Sequence, residues 1–261
     1  MTTPVAVVTG ASSGIGRALA QQLDTEGYSL VLCDVNEPGL RETQALLKRG
    51  SQRVTLDVSR RSEVQAMAAE VIARHGRIDL VINNAGVALD ASIDEVSLED
   101  FEWLFGINFW GVVYGTKAFL PKMLEQRSGT IVNLSSVFGM IGYPRQGTYN
   151  ASKFAVRGFT ETLWSELEGT GVTAISVHPG GIKTNIARMA RSKSDKAKLS
   201  ADFDRAARTT PEQAAAVILR GVYEKKKRVM IGADAQVIQL MARLLPESYP
   251  AIIRAVDKRG R

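Results

Sequence analysis

Three side chains near the middle of the sequence could together exchange a proton with an alcohol or carbonyl oxygen. Tyr149 and Lys153 lie four residues apart at the start of a helical pattern, so their side chains share one face. A phenol with its usual pKa of about 10 is a poor base, and a cation one turn away is expected to lower that pKa. Ser136 could donate its hydroxyl to the same substrate oxygen. The spacing is also typical of an ordinary surface pair, so whether Tyr149 and Lys153 are catalytic has to be judged from the rest of the sequence.

A strand and a helix are predicted on either side of this group. The apolar run 130–134 predicts a buried strand that ends just before Ser136, and a helical pattern covers 155–167. Glycines and a proline between them predict a loop. The substrate contacts predicted here are Ser136, Phe138, Met140, Tyr143 and Tyr149. Their aromatic and methionine side chains favour a moderately apolar substrate, although such residues are equally typical of plain packing.

The N-terminal segment predicts a nucleotide-binding turn. The apolar run 4–9 is rich in β-branched residues, which predicts a buried strand. It leads directly into Gly10-Ala11-Ser12-Ser13-Gly14-Ile15-Gly16 and then into a helical pattern. Glycines allow the backbone to approach a pyrophosphate closely, and the N–H groups at the helix N-terminus would bind it. The spacing G-x-x-x-G-x-G differs from the usual G-x-G-x-x-G, so the strand before it carries much of the inference.

A carboxylate at the end of the second predicted strand bears on the choice of cofactor. Asp34 closes the run 28–34, eighteen residues past Gly16. An acid at this place can bind the ribose hydroxyl groups of NAD, and its charge would repel the 2′-phosphate of NADP. The alternative is that Asp34 only caps the strand or the following helix, predicted over 37–48. The position therefore favours NAD.

Strands and helices alternate along the whole sequence. Further strands are predicted at 53–57, 78–86, 130–134, 172–178 and 228–232. A capping sequence at Ser97 opens a helical pattern that reaches about Glu125. The alternation predicts an α/β fold, a doubly wound Rossmann-type parallel sheet of about seven strands with helices on both faces. Because no linker or composition break divides the chain, residues 1–261 are expected to form one domain.

Two C-terminal segments depart from this alternation. Residues 183–210 are polar and basic with broken periodicity, which predicts a lid over the end of the sixth strand. Thr210 and Pro211 then restart a helix with an N-cap residue and a proline at its first position. Residues 233–261 are predicted to form a helical tail. Its apolar positions would pack on the domain, or contact a second copy or a membrane surface.

Charge and composition limit the class of protein. The net charge of +6 is concentrated, because 183–208 hold eight Lys or Arg against three Asp, and 225–261 hold nine against three acids. Such segments are solvated faces, or sites for an anionic substrate, a membrane surface or an acidic partner. No nucleic-acid recognition motif accompanies them, so no nucleic-acid partner is expected. With Cys33 as the one cysteine, an internal disulfide is excluded. No signal peptide and no apolar run near about 18 residues are present, so a cytoplasmic protein without a transmembrane segment is expected.

Together these segments resemble the short-chain dehydrogenase/reductase family of NAD(P)-dependent oxidoreductases. The resemblance extends from Val5 to about Gly232, with the motifs in the family's order. The matching residues are Thr9-Gly10-Ala11-Ser12-Ser13-Gly14-Ile15-Gly16, Asp57-Val58, Asn83-Asn84-Ala85-Gly86, Asn108, Ser136, Tyr149 with Lys153, and Pro179-Gly180. Ser136 lies thirteen positions before Tyr149, which is the family spacing, so Ser136 and not Ser135 is the match.

The resemblance implies a role for each of four catalytic residues. Tyr149 would be the general acid and base, and Ser136 would position and polarise the substrate oxygen. Lys153 would hold the nicotinamide ribose and lower the pKa of Tyr149. Asn108 would kink its helix and hold a water in the proton relay. No metal site is implied.

The resemblance also implies a set of cofactor contacts. These are Gly10, Ser12, Ser13, Gly14, Ile15, Gly16, Asp34, Asp57, Val58, Asn84, Ala85, Gly86, Tyr149, Lys153, Pro179, Gly180, Ile182 and Thr184. Asp57 and Val58 would flank the adenine, Asn84 would lie near the ribose, and Ile182 and Thr184 would contact the nicotinamide carboxamide.

Cofactor preference and assembly follow from the same resemblance. Members that prefer NADP usually carry a basic residue in the glycine turn or just after the second strand, where this chain has Ser13 and Val35. NAD is therefore expected, with Arg17 as the one feature that favours NADP. The family's usual homodimer or homotetramer uses the helices after the fourth and fifth strands, and the same assembly is expected here.

The implied activity is reversible hydride transfer between NAD(H) and a small-molecule secondary alcohol or ketone. Two alternatives remain open, an NADPH-dependent carbonyl reductase and a non-catalytic regulator that senses the cofactor. Regulators of this fold commonly lack the tyrosine or the lysine, and both Tyr149 and Lys153 are present.

Overall fold

A computed structural model describes residues 3–192, 201, 203, 205 and 207–259 of the chain. Its strands are β1 Val5–Thr9, β2 Ser29–Asp34, β3 Ser51–Thr55, β4 Leu80–Asn83, β5 Leu89–Asp90, β6 Gly129–Leu134, β7 Val172–Pro179, β8 Arg191–Ser192 and β9 Arg228–Ile231. Seven of them form one parallel sheet in the order β3-β2-β1-β4-β6-β7-β9. Every residue of β1 and β4 is buried, as expected for strands covered on both faces. The predicted Rossmann-type α/β fold is confirmed.

Helices cover both faces of the sheet. They are α1 Gly14–Thr25, α2 Glu37–Ala45, α3 Arg61–His75, α4 Leu98–Phe105, α5 Gly111–Gln126, α6 Gly147–Glu166, α7 Pro211–Tyr223, α8 Ala233–Leu244 and α9 Tyr249–Arg259. One buried core contains Leu19 of α1 and Ile218 of α7. A second core, built on the other side chains of the strands, contains Val71 of α3, Phe119 of α5 and Leu163 of α6. Two cores separated by one parallel sheet are the doubly wound arrangement.

Some predicted boundaries were wrong. The third strand covers 51–55 rather than 53–57, because it pairs residue for residue with β2 and ends opposite Asp34. The fourth strand covers 80–83 rather than 78–86, because the chain leaves the sheet after Asn83. The long helix predicted from Ser97 is interrupted by a π-helical turn, Gly106–Trp110, between α4 and α5. The small parallel pair of β5 and β8 was not predicted.

The C-terminal third is described in part. The helix start at Thr210 is as predicted, because its hydroxyl accepts the N–H of Gln213 and the Gln213 side chain accepts the N–H of Thr210. Of the predicted lid, residues 193–200, 202, 204 and 206 lie outside the described residues. The Lys183 N–H donates to the Thr209 carbonyl, so the two ends of the lid segment meet. The predicted tail contains α8 and α9; in it, 260 and 261 lie outside the described residues. Within the described part of the chain, no helix has the length and apolarity that crossing a membrane requires.

A buried polar network ties the centre of the sheet to its helices. The amide nitrogen of Asn83 in β4 donates to Asn133 in β6 at 2.8 Å, and Asn133 donates to the Thr160 hydroxyl of α6 at 3.0 Å. All three side chains are buried. Since a buried amide without partners costs its full desolvation penalty, each of these groups depends on the others.

We predict that Asn133→Ala lowers the free energy of unfolding by about 2 to 4 kcal/mol, because Asn83 and Thr160 lose their shared partner in the interior. Urea denaturation of the full chain measures the effect. The control is Thr162→Ala, which removes an exposed hydroxyl of the same helix and should change the stability by less than about 0.5 kcal/mol. Equal losses for the two variants would contradict the prediction.

Candidate active site

The carboxyl ends of four neighbouring parallel strands bring the predicted site residues together. β1 leads into the glycine turn, β4 into Asn84, β6 into Ser136, and β7 ends at Pro179. Parallel pairing places all four ends at one edge of the sheet, where ligands of open α/β sheets bind. Residues far apart in the sequence therefore share one site.

Two glycines of the turn are packed so closely that a side chain would not fit at either position. Gly10 has a φ of +67°, and a Cβ there would lie 2.8 Å from the Cα of Ala85. A Cβ on Gly16 would lie 2.1 Å from the Gly10 carbonyl oxygen. α1 starts at Gly14, and its N-cap residue Ser13 makes no side-chain capping bond. The first N–H groups of α1 thus lack a side-chain partner, which fits a bound pyrophosphate.

Asp34 supports this turn directly. One carboxylate oxygen accepts the Ser12 N–H and the other accepts the Asn36 N–H, both at 3.0 Å. Each carboxylate oxygen has a second lone pair, so the ribose hydroxyl groups could still be bound. Arg17 lies beside the same turn, since its guanidinium donates to the Ser12 carbonyl and pairs with Glu42 at 2.8 Å, and its Nε donates to the Thr43 hydroxyl.

The other predicted adenosine contacts have structural partners of their own. The Asn84 side-chain amide donates to the carbonyls of Thr9 and Gly10, so it holds the end of β1 against the end of β4. The Asp57 carboxylate accepts the N–H and the hydroxyl of Ser59. Val58 follows β3 and is buried. These residues line the same edge of the sheet, and their contacts with a cofactor stay predictions.

The predicted catalytic residues lie close together, with Ser136 and Lys153 buried and Tyr149 half-buried. Tyr149 and Lys153 lie in the first turns of α6, and the Lys153 Nζ is 5.6 Å from the centre of the Tyr149 ring. A side-chain hydrogen bond joins Ser136 to the Tyr149 phenol. The Lys153 Nζ donates to the carbonyl of Leu134 at 2.9 Å, which leaves two of its three N–H donors for other partners.

Burial is the largest influence on the pKa of both residues. It raises the pKa of Tyr149 to about 12, against a smaller lowering by the hydrogen bond with Ser136. It lowers the pKa of Lys153 to about 8, because the ammonium group loses its hydration. The expectation that Lys153 brings the pKa of Tyr149 below its usual value is therefore wrong for the polypeptide by itself. Desolvation of the phenolate is the largest cause of the rise.

Asn108 lies in the π-helical turn between α4 and α5. Its side chain accepts the Val87 N–H at 2.8 Å and donates to the Val87 carbonyl at 2.9 Å. A Cβ on Gly86 would lie 3.3 Å from the Asn108 Oδ1 and 3.5 Å from the Lys153 Nζ. The π-helical turn thus holds Asn108 beside Lys153 and against the segment that follows β4.

The predicted substrate side is partly aromatic. The Phe138 ring meets the Tyr149 ring edge to face at 6.2 Å and stacks on Tyr143 at 5.1 Å. Met140 is buried, so its contact with a substrate stays a prediction. These contacts place an aromatic wall next to the phenol.

The segment after β7 lies against the glycine turn. A Cβ on Gly14 would lie 3.2 Å from Thr184, so Thr184 borders the start of α1. Ile182 is buried in the same loop, and the Gly181 N–H donates to the Asp234 carboxylate at 2.8 Å. A Cβ on Gly180 would collide with that carboxylate, so only glycine fits. Thr184 thus lies beside the turn, and the contacts of Pro179, Gly180, Ile182 and Thr184 with a cofactor stay predictions.

The buried His178 contacts the backbone carbonyl of Ser136, and no role is predicted for it from the sequence. The His178 Nδ1 lies 3.1 Å from the Ser136 carbonyl, and its Nε2 lies 2.8 Å from the Ser176 hydroxyl. Because a carbonyl can only accept, Nδ1 carries the proton and Nε2 accepts from Ser176. Burial lowers the pKa of His178 to about 4. Its place at the end of a buried strand, directly before Pro179, was the available signal.

Comparisons with known proteins agree with this geometry. The profile of the short chain dehydrogenase family matches residues 4–195. A Mycobacterium tuberculosis protein named as an oxidoreductase, SadH, is 44% identical over 259 residues, which cover 96% of this chain and 94% of that protein.

Solved structures share the fold along nearly the whole chain. A short chain dehydrogenase/reductase from Burkholderia phymatum, in complex with NAD, has a TM-score of 0.87 and 32% identity, with 96% of this chain and 95% of that chain covered. A metagenomic short-chain oxidoreductase in complex with NADP has a TM-score of 0.74 and 26% identity, with 88% and 97% covered.

We predict that His178 makes the protein less stable in acid. Folding lowers its pKa from about 6.5 to about 4, so the unfolded chain binds the extra proton between these values. The contribution of His178 is complete above pH 6.5 and is lost as the pH falls towards 4. His178→Asn keeps an N–H donor but cannot titrate. Between pH 7 and about 4.5, the wild type should therefore lose about 2 to 3 kcal/mol more of its unfolding free energy than the variant. Parallel losses in urea denaturation would rule this out.

Proposed function

The chain belongs to the short-chain dehydrogenase/reductase family, and we propose that it transfers a hydride reversibly between NAD(H) and a secondary alcohol or ketone. The observation that carries the proposal is the half-buried Tyr149, whose phenol lies beside Ser136 and one turn from the buried Lys153, at the sheet edge that holds the glycine turn. The glycines, the uncapped start of α1 and the Asp34 carboxylate fit the pyrophosphate and ribose of a dinucleotide.

Tyr149 would move the proton and Ser136 would orient the substrate oxygen. The Phe138 N–H donates to the Ser136 Oγ at 3.1 Å, so the oxygen is held in place and its one hydrogen can donate to a substrate oxygen. With its raised pKa, Tyr149 is protonated at neutral pH and can donate to a carbonyl oxygen. Oxidation of an alcohol needs the phenolate, so it is favoured by alkaline pH. When bound, the nicotinamide supplies or accepts the hydride, and its oxidised form adds a positive charge.

Lys153 and Asn108 would set the charge and the proton path. Lys153 keeps two N–H donors, which can bind ribose hydroxyl groups while its charge stabilises the phenolate. Asn108 is held by both polar groups of Val87, and this fixes its orientation beside Lys153. A water held there would connect the lysine to solvent, as the family resemblance implies.

NAD is the proposed cofactor. The Asp34 carboxylate would repel a 2′-phosphate, and this carries the proposal. Arg17, the one residue that favoured NADP, contacts the Ser12 carbonyl, and its charge is offset by the ion pair with Glu42. Ser13 and Val35 occupy the positions at which NADP-preferring members usually carry a basic residue.

The proposed substrate is moderately apolar, and the proposed assembly is a homodimer or homotetramer. Phe138 and Tyr143 form an aromatic wall beside Tyr149. The segment 183–210 is proposed to act as a lid. For the assembly, Trp110 on the π-helical turn and Phe154 on α6 are large exposed side chains on helices that the family uses for contacts.

We predict that Tyr149→Phe lowers turnover about 100- to 10,000-fold while leaving the Kd for NAD nearly unchanged, because only the proton-transferring hydroxyl is lost. Turnover is followed by NADH absorbance with a panel of secondary alcohols and ketones, and binding by calorimetry. Tyr114→Phe removes a remote phenol and is the control. If Tyr149→Phe retains its turnover, the mechanism is wrong; if the wild type binds NAD but turns over no substrate, the regulator alternative is favoured.

We predict that Asp34→Ala shifts the cofactor preference towards NADP by about ten- to a hundredfold, because an acceptor for the ribose and a repulsive charge are both removed. The measurement is the ratio of kcat/KM for NAD and NADP. Glu168→Ala, which removes an exposed carboxylate elsewhere, is the control. A wild type that already prefers NADP would instead support the NADPH-dependent carbonyl reductase.

A further inference from the structure

Asp90 is a buried carboxylate that the proposed mechanism does not use. It is the last residue of β5 and is 6% exposed. Both of its oxygens accept from the Arg145 guanidinium, at 3.2 Å from Nε and 3.3 Å from Nη2. One of them, Oδ2, also accepts the Ser192 hydroxyl at 3.0 Å. A carboxylate buried to this degree depends on such partners, because an ionised group without them would be strongly destabilising.

Arg145 belongs to the loop 137–146, here called the substrate loop because it carries the aromatic substrate contacts predicted from the sequence. The backbone of Arg145 has a φ of +63°, a left-handed conformation that residues other than glycine rarely adopt. Such a conformation persists only where neighbouring contacts hold it. The Arg145 side chain pairs with Asp90 and Glu95, and its carbonyl accepts the Ala91 N–H at 3.0 Å. The substrate loop is therefore fastened at Arg145 to the segment around Asp90.

The segment around Asp90 is itself held in place on two sides. Val87, three residues before Asp90, is bonded through both of its backbone polar groups to the Asn108 side chain. β5 also pairs in parallel with β8, where the Arg191 N–H donates to the Ala88 carbonyl at 3.2 Å. Asp90 therefore joins three parts of the site, namely the segment after β4, the substrate loop, and β8 in the segment after β7.

We propose that Asp90 is a positioning residue for the substrate. By holding Arg145 it fixes the substrate loop, and with it the aromatic wall of Phe138 and Tyr143, in the conformation that receives the substrate. The catalytic residues are placed by β6 and α6 instead, so loss of the Asp90 contact should weaken substrate binding more than the chemical step. The reason is that a loop without its anchor has to be ordered when the substrate binds. This kinetic role rests on the proposed function, whereas the anchoring of the loop does not.

Asp90→Asn tests the proposal, because it keeps the size of the side chain and removes its charge. The matched control is Asp79→Asn, just before β4 and thus at the opposite edge of the sheet from the site. Asp79 likewise binds a guanidinium, that of Arg77, through both carboxylate oxygens, and it accepts the Val5 N–H. The Asp79 side chain is 19% exposed and that of Asp90 is 8% exposed. A general loss of stability would therefore affect both variants.

Amide hydrogen exchange of the full chain, read by mass spectrometry, measures the anchoring without any substrate. The substrate loop has bonded amides to report on, since the Gly142 N–H donates to the Tyr249 hydroxyl and the Gln146 N–H donates to the Tyr143 carbonyl. Asp90→Asn should raise the exchange rates in peptides that cover 137–146 about tenfold, and the Asp79 control should leave them as in the wild type.

Steady-state kinetics on the panel of secondary alcohols and ketones measures the role in binding. Asp90→Asn should raise KM for the substrate about tenfold, lower kcat less than about threefold, and leave the Kd for NAD within about twofold. Arg145→Gln should do the same, and the double variant should lose no more than either single one, because both act through one contact.

Three results would overturn the proposal: unchanged exchange in 137–146 for Asp90→Asn, equal KM values for the Asp90 and Asp79 variants, or additive losses in the double variant. A wild type that turns over nothing on the panel would instead refute the proposed function. The exchange rates would then decide by themselves whether Asp90 holds the substrate loop.

Discussion

Parallel pairing of β1 with β4 is the constraint on which the rest of the structure depends. It brings Gly10 so close to Ala85 that a Cβ would lie 2.8 Å from the neighbouring Cα. The Asn84 amide closes the same gap by donating to the carbonyls of Thr9 and Gly10. The glycine turn is therefore shaped by the strand beside it as much as by its own sequence. With β6 and β7 added in parallel, the ends of four strands become one site.

Burial then decides the chemistry of that site. Tyr149, Lys153 and His178 have lost most of their hydration, and each shifts towards its neutral form. In the polypeptide alone, Tyr149 is therefore protonated, and Lys153 loses its proton more readily than an ordinary lysine. A phenolate at moderate pH needs further positive charge, which an oxidised nicotinamide would bring. In the proposed mechanism, proton transfer would therefore depend on the bound cofactor.

The polar residues of the site have two tasks at once. Asp34 holds the Ser12 and Asn36 N–H groups, and it is also the candidate ribose acceptor. Asn108 is fixed by Val87, and Asp234 of α8 closes the loop at Gly181. These side chains hold the backbone of their loops in place in addition to their candidate binding roles. Removing one of them would therefore change the loop conformation as well as the local charge. Through Asp234, α8 is bonded to the loop that follows β7, and its outer side carries the exposed residues Val237, Leu240 and Leu244.

The sequence by itself determined the α/β fold and the seven-stranded sheet, and it predicted which residues would form the site. Apolar runs, glycine spacing and the Tyr149–Lys153 interval are local, so they are visible without coordinates. Only the tertiary structure decided the pairing of Arg17 with Glu42, the support of Ser136 by His178 and the raised pKa of Tyr149. Those features depend on contacts between residues far apart in the chain, and on the loss of water that packing imposes. Neither these long-range contacts nor the loss of water can be inferred from the spacing of residues in the sequence.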